Sequence, residues 1–298
     1  MKTTFASYLY DKKYSEHTIK VYLIKNDRFM AWLQEQGIKA ARIDYKRLLQ
    51  YVKFLHTKKY KRASINGELN AIKQYFDYLV NESYRTDNPA KGLVVKGEQK
   101  KVLYNLLSSD ILEDLYYSYP TDHKNSFIQA SLQRDKVLLG FMVYQGITAQ
   151  EVCNLQEEHV VLMRGKIIIP STRKSNSREL ELKSWQVLEL QHYQQHVRAY
   201  LLNYSRTTQN EEQFFYGSKP QINGIITRII KRVKKYNGEI RNHNHIRSSV
   251  IVNWMKQYDD LRKVQYLAGH KHITSTEKYV QDDLENLHEI VNNFHPLH

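Results

Sequence analysis

Ser64-Ile-Asn-Gly-Glu-Leu-Asn-Ala-Ile-Lys-Gln-Tyr-Phe-Asp-Tyr-Leu79 decides how the first third of the chain folds. Its apolar residues Ile65, Leu69, Ile72, Phe76 and Leu79 follow one another at intervals of four, three, four and three. That alternation keeps a single stripe on one side of a 3.6-residue helix, and Ser64 stands where an N-cap would start it. Working outward, Ser15 caps a second pattern, in which Ile19, Tyr22, Leu23, Phe29, Met30 and Leu33 share a face up to Gly37, and a third runs from Tyr45 to His56. Such stripes need partners, so the spacing predicts a small helical bundle over about the first 90 residues.

Between the Tyr45–His56 pattern and the Ser64–Leu79 stripe lies Lys58-Lys59-Tyr60-Lys61-Arg62, a basic cluster with one aromatic ring. At a helix start it suits backbone phosphates, although many such runs are simply solvated surface. Charge supports the phosphate reading. The 298 residues hold 45 Lys plus Arg against 31 Asp plus Glu, a formal charge of +14, and residues 1–101 hold +11 of it. A surplus of that size on a chain with 41% hydrophobic residues describes a folded protein with a polyanionic partner rather than a disordered basic tail. Cys153 is alone, which excludes an internal disulfide, and no apolar run reaches the length of a membrane span. The start MKTTFASYLYDKK has no signal-peptide core, so a cytoplasmic protein is expected.

Asn88-Pro89 opposes continued helix, and the Gly- and Lys-rich residues after it lack apolar periodicity. The expected division is therefore a helical domain over 1–90, a linker over 91–106 and a second domain over 107–298. In the second domain Lys166-Ile-Ile-Ile-Pro170 and Glu179-Leu-Glu-Leu182 read as two short strands joined by Ser-Thr-Arg-Lys-Ser-Asn-Ser, a β-hairpin, and the remainder is helical in period. The fold class expected is mainly α with a small sheet.

Common enzyme motifs are missing: no Gly-Lys-Ser/Thr phosphate loop, no Gly-x-Gly-x-x-Gly, no Gly-x-Ser-x-Gly, no His-Glu-x-x-His. His243 and His245 have no Cys or carboxylate at ligand spacing, so no metal site is expected. The informative segment is Leu267-Ala-Gly-His-Lys-His-Ile-Thr-Ser-Thr-Glu-Lys-Tyr279. It resembles the tyrosine recombinase (phage integrase) family, whose Leu-x-Gly-His is followed nine residues after the His by Tyr in a Ser/Thr-Thr-x-x-Tyr context. Asn244-His-Ile-Arg247 stands at the place of the family's His-x-Leu-Arg, and Gly146-Ile-Thr-Ala-Gln-Glu-Val152 at that of Gly-Leu-Arg-x-x-Glu-Leu. The N-terminal helices and Asp87-Asn-Pro-Ala-Lys-Gly-Leu93 resemble the family's SAM-like core-binding domain and its exit, in the shorter, Xer-like architecture without an arm-binding domain.

The resemblance implies strand exchange on double-stranded DNA without metal or nucleotide cofactor. A Tyr hydroxyl attacks a phosphodiester, the 5′-oxygen leaves, and a 3′-phosphotyrosyl bond holds the strand for rejoining. On this sequence it implies Tyr279 as nucleophile, His270 as hydrogen-bonding or acid–base partner, Arg247 as phosphate clamp and Lys174 in the hairpin as proton donor, with Arg173 beside it on the DNA. Lys58, Lys59, Lys61 and Arg62 would bind DNA from the N-terminal domain. A C-terminal helix carrying Leu284, Leu287, Ile290, Val291 and Phe294 would join four copies on DNA, with accessory DNA-bending proteins as further partners. Two positions depart from the family. Thr148 stands where the first clamp Arg is expected, and Asn244 replaces a His, so a catalytically weakened DNA-binding paralogue is the second reading. Arg173, Lys174, His243, His245 and Arg134 are the cations that could compensate. A type IB topoisomerase and a generic basic nucleic-acid-binding protein are the remaining alternatives.

Overall fold

The computed structural model describes residues 4–97, 105–204 and 212–280. They form two compact units, Met1–Gln99 and Lys100–His298.

The first unit is four helices: α1 (Phe5–Asp11), α2 (Glu16–Glu35), α3 (Tyr45–Thr57) and α4 (Arg62–Asn81). All five residues of the α4 stripe are buried, each contributing about 2 kcal/mol of apolar burial against α2 and α3. Ser15 caps α2 by accepting from Thr18 N. Two local expectations are corrected. Helix α4 starts at Arg62, so Ser64 lies inside it and Lys61 is the cap, without a side-chain bond. Met30 is exposed, because the buried face of α2 passes through Asn26, Phe29, Trp32 and Leu33, and position 30 is turned about 100° away from 29. The expected linker begins on this unit: Ala90 and Leu93 are buried in its core, and the Val95 amide donates to Asn66 Oδ1 at 2.9 Å.

The second unit is built around α6 (Ser126–Tyr144), whose residues Val137–Val143 are all buried. A helix apolar on every side belongs in the middle of a domain. Around it lie α5 (Ser109–Tyr117), the short α7 (Ala149–Cys153), and α8 (Ser184–His192), which passes through a π turn at Tyr193–Val197 into α9 (Arg198–Asn203). Then come α10 (Lys219–Val233), α11 (His243–Gln257) and α12 (Leu261–Ala268). Residues 274–280 are again helical. Strands β1 (Val160–Val161), β2 (Lys166–Ile169) and β3 (Arg178–Glu181) form an antiparallel sheet in that order. The expected hairpin is β2–β3, with Ile167 opposite Leu180 and Ile169 opposite Arg178, all four on the buried face. The C-terminal stripe Leu284–Phe294 lies outside the described residues.

Candidate active site

Helix α12 delivers His270 through the way it ends. Gly269 takes the left-handed conformation at φ 68°, the His270 amide donates to Gln265 O at 3.0 Å, and the Gly269 amide to Tyr266 O at 2.9 Å. This pair of bonds is a Schellman ending, which Gly closes without a Cβ penalty. A second constraint applies to the same glycine, since a Cβ would sit 3.0 Å from Arg178 Cζ.

Arg178 was not among the residues singled out above, yet it organises this region. Its side chain is fully buried, its Nη1 lies 2.7 Å from Glu151 Oε1, its Nη2 donates to Oε2 at 3.3 Å, and its Nε donates to Leu267 O at 2.8 Å. The signal was present: with Leu180 and Leu182 facing the core, strand alternation puts position 178 on the inward face, and an inward Arg requires a buried partner. Glu151 is that partner. It closes a capping box at α7, accepting from the Thr148 amide at 2.8 Å while Thr148 Oγ1 accepts from the Glu151 amide at 3.2 Å. Thr148 is thus occupied as an N-cap.

Arg247, from α11, is the second buried guanidinium. It donates through Nη1 to Gly146 O and through Nη2 to Ala268 O at 2.6 Å, and Nη1 lies 4.0 Å from Glu151 Oε2. One carboxylate therefore stands between two arginines. Burial alone would raise the Glu151 pKa, but the hydrogen bonds and charge of Arg178, the Thr148 amide and Arg247 outweigh it and hold it at about 2. Burial lowers the pKa of Arg247. His270 is pulled down to about 4, by burial first and then by the charges of Arg247 and Arg178, so its imidazole is neutral at pH 7.

Tyr279 lies against His270, ring centroids 5.9 Å apart and planes 10° from parallel, and it is within electrostatic reach of Arg247. Its ring also packs on the small cluster of Ile251, Val264 and Ala268. The tip of the hairpin joins the same place. Ser175 forms an isolated antiparallel bridge with His270, and the Asn176 amide donates to Gly269 O at 2.9 Å. Thr172 Oγ1 accepts from the Lys174 and Ser175 amides, which closes the tip and leaves Arg173 and Lys174 exposed on it. Asn244 is exposed on α11, three residues before Arg247 and so on the same side of the helix.

Arg134 and His245, named above, are committed elsewhere. Arg134 is buried and bonded to Asp135 through Nε at 3.0 Å and Nη2 at 2.6 Å. His245 lies 2.9 Å from Asn105 O through Nε2 and receives the Arg241 amide at Nδ1. No group of three or more His, Cys, Asp or Glu among the described residues could hold a metal ion. In the first unit, Lys58, Lys59 and Lys61 are exposed and Arg62 half-buried on the turn from α3 to α4, with Lys59 in the left-handed conformation at φ 58°.

The buried Glu151 makes stability depend on pH. Its pKa in the folded protein is below the usual 4.5, so its contribution is complete above pH 4.5 and is lost as pH falls toward 2. The lowered pKa corresponds to roughly 3 kcal/mol. Protonation of His270 acts in the same direction, from its usual 6.5 down to about 4. Urea midpoints of the second unit are expected to fall steeply between pH 6.5 and 2, and a midpoint independent of pH across that window would show that the pair is not formed.

A family profile described as "Phage integrase family" matches residues 119–286, and one described as "Phage integrase, N-terminal SAM-like domain" matches residues 3–83. The chain belongs to the phage integrase family. Tyrosine recombinase XerC of Bacillus licheniformis is 26% identical over 99% of this chain and 95% of its own length. XerC of Staphylococcus saprophyticus is 22% identical over 97% and 96%. Among solved structures, XerH site-specific recombinase bound to difH substrate in a pre-cleavage complex is similar with a TM-score of 0.64, 18% identity and coverage of 91% of this chain and 79% of that one. The Tn1549 transposon integrase in complex with circular intermediate DNA gives 0.63, 14% identity, 95% and 98%. These likenesses establish an integrase-family fold for both units. No described helix is long and apolar enough to cross a membrane.

Proposed function

We propose that this integrase-family chain is an active site-specific recombinase that cuts and rejoins duplex DNA through Tyr279. The observation that carries the reading is the stacking of Tyr279 on His270 beside the buried Arg247, so that nucleophile, neutral donor and cation lie in one place. In the forward step Tyr279 Oη bonds to phosphorus and the 5′-oxygen leaves, taking a proton from Lys174 on the exposed hairpin tip. Arg247 is a fixed donor to the charge that develops on the non-bridging oxygens, and fixed donors need no reorganisation when that charge appears. Asn244 adds a neutral hydrogen bond where the family has a titrating His. Lys58, Lys59, Lys61, Arg62 and Arg173 grip the phosphate backbone, in keeping with the DNA complexes of XerH recombinase and the Tn1549 integrase. The cytoplasm is the expected compartment. Four copies assemble on DNA through the segment after Tyr279, and accessory DNA-bending proteins complete the synapse.

One observation favours the second reading, a weakened DNA-binding relative: Thr148 is a neutral cap, and Arg178 is enclosed with Glu151. A suicide substrate, nicked so that the cut product diffuses away, separates the two. The expected result is a covalent protein–DNA adduct whose DNA-bearing peptide contains Tyr279. Site-specific DNA binding with no adduct would establish the weakened relative in its place.

A further inference from the structure

Thr276 has no part in the chemistry above, yet it touches the site. It is 0% exposed, on the helical residues 274–280 and one turn before Tyr279. Its Oγ1 lies 2.9 Å from His270 Nδ1, and among the described residues this is its one side-chain hydrogen bond. A hydroxyl has a single proton and needs an acceptor for it. Helical Thr usually finds one at a backbone carbonyl three or four residues back. Here the hydroxyl faces an imidazole nitrogen instead. If Nδ1 carried the ring proton, the buried Thr276 proton would have no acceptor among the described residues, which costs more than the bond gains. With Nδ1 bare, both groups are satisfied.

We propose that Thr276 is a positioning residue that donates to His270 Nδ1 and thereby fixes His270 in the tautomer with its proton on Nε2. The nitrogen left for the reaction is then a donor. His270 gives a hydrogen bond to the transferring phosphate and does not take the proton of Tyr279, which leaves to solvent. Thr276 and Tyr279 share one helical turn, and both hold His270, one through its hydroxyl and the other through its ring. Seating the nucleophile segment and setting the tautomer are therefore one event. The catalytic consequence rests on the recombinase reading, whereas the tautomer itself does not.

Nitrogen-15 NMR of the full-length, DNA-free protein at neutral pH reads the tautomer, with His270 assigned by its absence from the His270→Gln spectrum. Wild type and Thr276→Ser are expected to hold the proton on Nε2. Thr276→Val keeps the shape and removes the donor, so the ring should shift toward Nδ1–H and adduct formation should slow about tenfold, while Thr276→Ser stays within about threefold of wild type. A proton on Nδ1 in wild type, or an unchanged tautomer in the Val variant, overturns the proposal whether or not the protein cuts DNA. If the Val variant does not fold, the wild-type tautomer decides alone. The expected tautomers without any wild-type adduct would support the lock and refute the recombinase reading.

Discussion

Arg247→Ala is expected to lower the rate of adduct formation by about 10³-fold, with Arg247→Lys recovering little of it. Removing one preorganised donor to a developing anion costs about 10² to 10³, and Arg247 brings a charge as well as donors. Lys fails for a geometric reason. The guanidinium fork reaches Gly146 O with one nitrogen and Ala268 O with the other, tying the turn before α7 to the end of α12. An ammonium is a single point on a flexible stem and cannot hold both carbonyls. Those bonds also contribute to folding, and the Ala variant should lose roughly 2–3 kcal/mol of stability. Single-turnover cleavage on a suicide substrate, run at a temperature where thermal unfolding shows both variants folded, keeps the two effects apart. An Ala variant that is folded and cleaves within tenfold of wild type would remove Arg247 from the chemistry.

How far the sequence carried depended on whether a feature repeats. The α4 stripe was legible because a period of 3.6 is written several times over, and the β2–β3 hairpin because a β-branched run and an alternating Glu-Leu-Glu-Leu run flank a polar turn. Helix α1 was not, since seven residues give too few turns for a period to register. Met30 was misplaced for a related reason: adjacent apolar residues leave the phase of a stripe open, and only the packing of Trp32 selects it. In the site, Tyr279, His270 and Arg247 are joined by spacing, and the structure brings them together. Arg178 and Thr276 needed contacts that no spacing encodes, across 27 positions to Glu151 in one case and 6 to a ring nitrogen in the other. Thr148 is the instructive residue. From sequence it reads only as a missing charge, and the structure shows what the hydroxyl does in its place.

That gives the second large effect a direction opposite to the usual one. Thr148→Arg is expected to raise the rate of adduct formation by about 10²-fold at a modest loss of stability. The backbone there, φ −88° and ψ 158°, is ordinary for any L-residue, so no strain opposes the change. The lost cap costs about 1 kcal/mol, because only the bond from the Glu151 amide to Thr148 Oγ1 disappears. The reciprocal bond from the 148 amide to Glu151 Oε2 is made by backbone and survives. The gain is a second guanidinium beside Arg247, in a site where the positive charge of Arg178 is already spent on Glu151. A fixed cation at a transferring phosphate is worth about 3 kcal/mol, which exceeds the cap. Thr148→Ala isolates the cap, since it loses the hydroxyl and adds no charge; it should lower stability by the same amount and leave the rate within about threefold. Single-turnover rates for wild type, Ala and Arg therefore form a series with one expected jump. If Thr148→Arg gives no increase while Thr148→Ala slows the reaction tenfold or more, the threonine hydroxyl itself faces the phosphate, and the site has replaced a cation with a neutral donor.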